Sequence, residues 1–362
     1  MRSAGRFVVE AHAHITTLYK SKGQPPGDYF GGLTNSFSDG QVEYFDNSPL
    51  TLYDMERYGV DMCLLKPSQV GNTNESQADL VERYPEKFRA FCADMGLRIK
   101  CAQGEATWNL DDAAAEVEAA LKTGKFIGIG EFVPRDMDEK KIYTFKERLD
   151  EYRTFCELAQ KYGVSIDFHD YTWNFDWDPL VLLTRISIEY PEVPIIFNHG
   201  GFSIGGYIEG AQLIRKACAI AGRAIGPGGS NVYLETGSWA PEYYKIALRD
   251  PNVGVSQLIW GGDYGHVPQY IVRNDDPDGP PTYSTAMKRW PRVPTYQIDW
   301  WGWSLGTIDQ IRGWATQDEI NLILGGNAAR IWDLPVPHER MFMSGRPDVW
   351  GIHWEQSVRE SK

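Results

Sequence analysis

Short apolar runs alternate along the chain with longer stretches in which apolar residues recur every three or four positions. The runs read as strands over 7–9, 62–65, 90–92, 127–130, 164–168, 194–198, 232–235 and 257–261. The stretches between them read as amphipathic helices, most plainly over 111–123, 143–162, 207–221 and 317–332. Strands that alternate with helices pair in parallel through right-handed crossovers, and eight of them in about 260 residues fit a closed barrel better than an open sheet. The expected fold is therefore α/β, a distorted (β/α)8 TIM barrel.

Such barrels carry their chemistry at the C-terminal ends of the strands. There the first strand runs into Ala11-His12-Ala13-His14. Successive side chains of an extended strand point to opposite faces, so His12 and His14 share a face and form a chelating pair. Glu131 ends the fourth strand, His169 the fifth, His199 the sixth and Asp263 the eighth. Four imidazoles and two carboxylates suit zinc, iron, manganese or cobalt, and they suffice for two divalent ions with positions left for water or substrate.

Further candidates follow from position. Lys66 ends the second strand and is a candidate partner for a substrate carboxylate. His266, three residues after Asp263, is a candidate to orient substrate or relay a proton. Asp170 is placed to hold an imidazole, and Glu235 and Ser238, at the end of the seventh strand, to hydrogen-bond ligands or substrate. By the same two-residue period Glu10 falls on the face of His12 and His14, as a supporting acid or an ion-pair partner.

With 362 residues and 42% hydrophobic content the chain can bury a large core. One barrel domain is expected over 1–335, with insertions around the mouth at 19–50 and 267–313, followed by an extended tail at 336–362. The tail and the aromatic-rich second insertion are expected to meet another subunit, making a homo- or hetero-oligomer. A net charge of −13 without a Lys/Arg cluster argues against nucleic acid as a partner, leaving a small-molecule substrate. No apolar run approaches the roughly 20 residues of a membrane span, and the first residues do not read as a signal peptide, so the expected location is the cytoplasm. The five cysteines, Cys63, Cys92, Cys101, Cys156 and Cys218, show no CxxC spacing and are expected to be reduced core thiols.

Taken together, His12-Ala13-His14, His169, His199-Gly200-Gly201 and Asp263 resemble the amidohydrolase superfamily. The closer resemblance is to the branch that includes aminocarboxymuconate-semialdehyde decarboxylase and the γ-resorcylate-type decarboxylases. Gly71-Asn72, the run Tyr84-Pro85-Glu86-Lys87-Phe88-Arg89-Ala90-Phe91 and the closing Gly325-Gly326-Asn327-Ala328-Ala329-Arg330 are similar to it as well. The resemblance implies an amidohydrolase-type barrel in which His12, His14 and Asp263 hold one metal, His169 and His199 hold another, and Glu131 bridges them.

Decarboxylases of this branch hold a single metal and lack an acidic ligand on the fourth strand. Glu131 on such a skeleton resembles instead the dinuclear hydroxylases of the branch, those like 2-aminoisobutyrate hydroxylase. That implies O2-dependent hydroxylation of a small organic acid or amino acid at a diiron or Mn/Fe pair. The alternatives are hydrolysis of an amide, ester or lactone at zinc, with Asp263 accepting the proton, and non-oxidative decarboxylation at one metal, with His199 as base.

Overall fold

The computed structural model describes residues 7–15, 18–21, 42–45, 48–67, 73–102, 105–132, 144–168, 179–201, 230–236, 239–250, 253–264 and 300–337. Eight strands form one sheet in chain order, every neighbour parallel: Val9–Ala13, Met62–Leu65, Phe88–Cys92, Phe126–Phe132, Ser165–Phe168, Ile195–Phe197, Val232–Glu235 and Leu258–Ile259. The last strand returns to the first through an Ala13–Tyr264 bridge and three backbone bonds, Ala11 N to Trp260 O (3.3 Å), Tyr264 N to His12 O (2.9 Å) and His14 N to Tyr264 O (2.7 Å). The fold is the expected (β/α)8 TIM barrel.

Strand alternation sorts the apolar residues into two layers. Val9, Ala11, Met62, Leu64, Phe91, Ile196 and Ile259 come from strands on different sides of the sheet yet pack as one cluster, which identifies them as the filling of the barrel. Their sequence neighbours Val8, Cys63, Leu65, Ile195, Phe197 and Leu258 pack outward with Leu80, Val117, Phe155 and Leu182 of the surrounding helices. Cys63, Cys92 and Cys156 lie in this apolar material, where burial pushes their thiols up, away from the reactive thiolate; Cys218 lies outside the described residues.

The helices begin and end on local signals. Thr144 caps Phe145–Tyr162 in a reciprocal box with Glu147, and Gly163 ends the helix at φ 67°. Asn109 caps Leu110–Leu121 by accepting from Asp112 N. The expected helix over 207–221 falls outside the described residues. Among the described residues no helix is long and apolar enough to cross a membrane.

Three features differ from the sequence expectation. The first strand lies later than 7–9 and carries His12 within it, with its register broken between Glu10 and Ala13. The first mouth insertion contributes an antiparallel pair, Leu18–Ser21 with Val42–Phe45, which its mixed composition did not signal. The closing helix is interrupted: Gln317–Asn321 and Asn327–Trp332 flank a π-turn, Leu322–Gly326. Within that turn the Ile323 carbonyl accepts from Trp260 N at 2.8 Å, so the looser winding ties the closing helix to the eighth strand.

At the base of the barrel Trp332 crosses the Phe91 ring edge-on at 5.8 Å and donates its indole N–H to Ser165 Oγ at 2.9 Å. Replacing it empties the plug of the inner cluster. Trp332→Ala is expected to cost about 3–5 kcal/mol, read as a lower urea midpoint at unchanged m-value.

Candidate metal centre

His12 and His14 are oriented from behind. His12 Nδ1 lies 3.0 Å from Glu235 Oε2, and His14 Nδ1 lies 3.1 Å from the Lys66 carbonyl. A carboxylate and a carbonyl only accept, so each Nδ1 carries the proton and each Nε2 presents its lone pair to the mouth. These two Nε2 atoms are 2.9 Å apart. Two lone pairs at that separation repel unless a cation lies beside both.

Two carboxylates complete the group. Glu131 Oε2 is 3.3 Å from His12 Nε2 and 3.2 Å from His14 Nε2, and Asp263 Oδ1 is 3.6 and 3.2 Å from the same atoms. Donors about 2.1 Å from a tetrahedral ion stand about 3.4 Å from one another. The observed separations cluster around that value, and all four side chains are buried. His12, His14 and Glu131 fit a first-row divalent ion in chemistry and in spacing, with Asp263 within 3.6 Å of both imidazole nitrogens.

His199 stands next to this group. It lies in the turn Asn198–Gly201 after the sixth strand, at φ 54°, and its ring stacks on that of His12 at 4.9 Å. Glu235 Oε2 accepts from His199 N at 2.9 Å and lies 3.5 Å from His199 Nδ1, while Trp239 Nε1 donates to the His199 carbonyl at 3.1 Å. His12, His199 and Glu235 form a second cluster of potential ligands within reach of one another. Burial raises the Glu235 carboxyl, but the hydrogen bond from His12 and the proximity of His199 and Lys66 outweigh it and leave Glu235 lowered.

Glu131 owes its position to the backbone before it. Gly130 has φ 115° and passes so close to Asp167 that an added Cβ would lie 2.8 Å from the Asp167 Cβ. Both constraints demand glycine there.

Lys66 is held inside the barrel at the end of the second strand. Its ammonium is fully buried, 2.5 Å from Asp167 Oδ2 and 2.9 Å from Asn198 Oδ1, the residue before His199. Desolvation explains the pairing: burial raises Asp167, and the Lys66 charge opposes that rise. Asp167 and Asn198 were not picked out from the sequence. The available signal was a lone carboxylate inside the apolar run Ile166-Asp167-Phe168. His169, Asp170, Ser238 and His266 fall outside the described residues, so the geometry brings together His12, His14, Glu131, His199 and Asp263 of the expected site.

Burial lowers His14, and it lowers His199 to about 4, so both imidazoles are neutral and ready to ligate near pH 7. In the unfolded chain the same groups take up protons near 6.5, so the unfolded state binds more protons between that value and about 4. Metal-free protein is therefore expected to lose stability steadily as pH falls from 6.5 towards 4. Urea midpoints across that range test this, and His199→Asn should flatten the slope.

No curated protein matches the chain. Among solved structures it is similar to 4-oxalomesaconate hydratase from Rhodopseudomonas palustris, at 14% identity and TM-score 0.49 over 90% of this chain and 96% of that one. It is similar to an amidohydrolase 2 from Bifidobacterium longum subsp. infantis, at 12% identity and TM-score 0.47 over 91% and 100%. A phosphotriesterase homology protein from Escherichia coli gives 13% identity and TM-score 0.48 over 92% and 100%. The amidohydrolase family matches residues 9–334, from the first barrel strand to the end of the closing helix, and the chain belongs to that family.

Proposed function

We propose that this amidohydrolase is a binuclear metal enzyme, with His12, His14 and Asp263 around one divalent ion, His169 and His199 around a second, and Glu131 between them. The observation behind it is Glu131 Oε2 at 3.2–3.3 Å from the Nε2 atoms of His12 and His14, which supports Glu131 as a ligand of the first ion, while its place between two ions rests on the resemblance to binuclear members of the superfamily. A carboxylate from the fourth strand, next to the fifth strand that leads to His169, is suited to face both halves of the site. Divalent ions held there supply Lewis acidity and lower the pKa of water towards 7.

The chain's own residues then have separate tasks. Glu235 and the Lys66 carbonyl hold the two first-strand imidazoles in their ligating tautomer. Asp263, 3.2–3.6 Å from the same imidazole nitrogens, is placed both to ligate and to take a proton from the reacting group. His266 is proposed to orient the substrate.

For the reaction, the joining of Glu131 to a decarboxylase-like skeleton supports O2-dependent hydroxylation of a small organic acid or amino acid at an Fe/Fe or Mn/Fe pair. Hydrolysis of an amide, ester or lactone is the second reading, supported by membership in the amidohydrolase family. Non-oxidative decarboxylation at one metal is the third reading, in which Glu131 joins His12 and His14 around a single ion.

Metal analysis of protein produced with iron, manganese and zinc all present, alongside Glu131→Ala, tests the reading. Two ions per chain, with one lost in the variant, are expected. Iron or mixed iron and manganese together with substrate-dependent O2 consumption would establish hydroxylation, whereas two zinc ions and no O2 uptake would replace it with hydrolysis. One ion unaffected by Glu131→Ala would overturn the binuclear site.

A further inference from the structure

The ladder is irregular where the barrel closes, and the Glu10 side chain reaches into the break. On the first strand, Ala11 N pairs with Trp260 O and His12 O with Tyr264 N. Between those bonds the eighth-strand side must accommodate Gly261, Gly262 and Asp263 while the first strand advances by one residue. Across this stretch Glu10 Oε1 accepts from the amides of both His12 and Gly262, at 2.9 and 2.6 Å. The other oxygen, Oε2, accepts the indole N–H of Trp301 at 2.6 Å.

These contacts also correct the expected facing of Glu10. Period-two alternation puts Glu10 beside His12 and His14, but the register break between Glu10 and Ala13 turns it away. Glu10 reaches to Trp301 of the outer helix Trp300–Gln310, while His12 reaches Glu235 and Glu131 across the mouth. The carboxylate is fully buried and its surroundings are shaped to it: a Cβ on Gly262 would stand 2.6 Å from Oε2. Trp301 is itself fixed by stacking on Tyr264 at 4.0 Å, and Tyr264 OH donates to Asp54 Oδ2 at 2.8 Å.

We infer that Glu10 is the positioning residue of the metal centre: one carboxylate oxygen, accepting the amides of His12 and Gly262 together, sets the spacing between ligands His12 and Asp263. His12 is one of the two residues so held, and Asp263 directly follows the other. Asp263 sits at φ 55°, in the left-handed region, between two restrained amides: Gly262 N bonded to Glu10 and Tyr264 N bonded to the His12 carbonyl. Glu10 touches neither ion nor substrate in this assignment. It acts through the backbone of two ligands on two different strands.

The inference rests on the metal-site reading, so its test separates the two. Zinc affinity is measured by competition with a chromophoric chelator for wild type, Glu10→Gln and Glu116→Gln, with far-UV circular dichroism as the folding check. Glu116 is the matched control: its carboxylate also accepts two backbone amides, Gly96 N at 2.7 Å and Leu97 N at 2.8 Å, away from the seam. Glu10→Gln is expected to bind zinc 10- to 100-fold more weakly, the range typical of groups that orient ligands, and Glu116→Gln to bind as wild type does. Hydrogen exchange at the Gly262 amide, followed in metal-free protein, should accelerate in Glu10→Gln alone.

Zinc binding by Glu10→Gln within twofold of wild type, or equal weakening in both variants, would overturn the assignment and leave the metal site standing. Failure of wild type to bind zinc would instead sink the metal site, with Gly262 exchange still deciding whether Glu10 organises the seam. Should Glu10→Gln not fold, Trp301→Phe keeps the stack on Tyr264 and removes only the indole donor. Unchanged zinc affinity in that variant would count against the assignment, and a threefold or greater loss for it.

Discussion

The mouth of this barrel buries more negative charge than its own side chains can neutralise. Glu131, Asp167, Glu235 and Asp263 are all at most 6% exposed, and the ammonium among them is that of Lys66. An ion removed from water without compensation costs several kcal/mol even after relaxation. Protons or cations can meet that cost. Burial raises Asp167, and the Lys66 ammonium opposes that rise. Glu131 and Asp263 instead stand with two imidazole lone pairs, and that combination asks for a divalent ion. Charge neutrality and ligand geometry lead to the same conclusion there, while Lys66 serves the part of the site the ligands do not reach.

Parallel closure is what allows so many polar groups to meet. Each strand delivers its last inward residue to the same rim, so contributions from strands one, two, four, five, six, seven and eight converge although they are spread over some 250 positions of sequence. The barrel below the polar layer is filled with apolar side chains, with Trp332 packed against Phe91 and bonded to Ser165 at its base. Fold stability and site construction are thus divided along the barrel axis: apolar packing below, paired and ligating groups above.

Much of this was legible in the sequence, for a definite reason. Strand ends in a barrel coincide with switches from apolar runs to polar residues, so His12, His14, Glu131, His199 and Asp263 could be placed at one mouth from spacing alone. What could not be read depends on contacts between distant segments. Glu10 obeys the alternation rule on paper and breaks it in space, because one register irregularity reverses its face. Lys66 looked like a rim cation, and only the approach of Asp167, about a hundred residues later, shows where its charge is spent. The hairpin of Leu18–Ser21 with Val42–Phe45 and the π-turn at Leu322–Gly326 likewise lack a local pattern, since each answers to a partner elsewhere.

Two proposed ligands, His199 and Asp263, occupy the left-handed region at φ 54° and 55°. Each such residue costs on the order of 1–3 kcal/mol, which a barrel built for stability alone would avoid. Each also has a dedicated restraint: Trp239 and Glu235 pin the main chain of His199, and Glu10 pins the amide just before Asp263. The three restraining side chains are buried and come from other strands or loops, so the strain is held by the finished barrel and not by local sequence. A left-handed residue turns the chain sharply at a strand end. That turn is what allows a side chain leaving the wall of the barrel to point back across its mouth, where the other donors are.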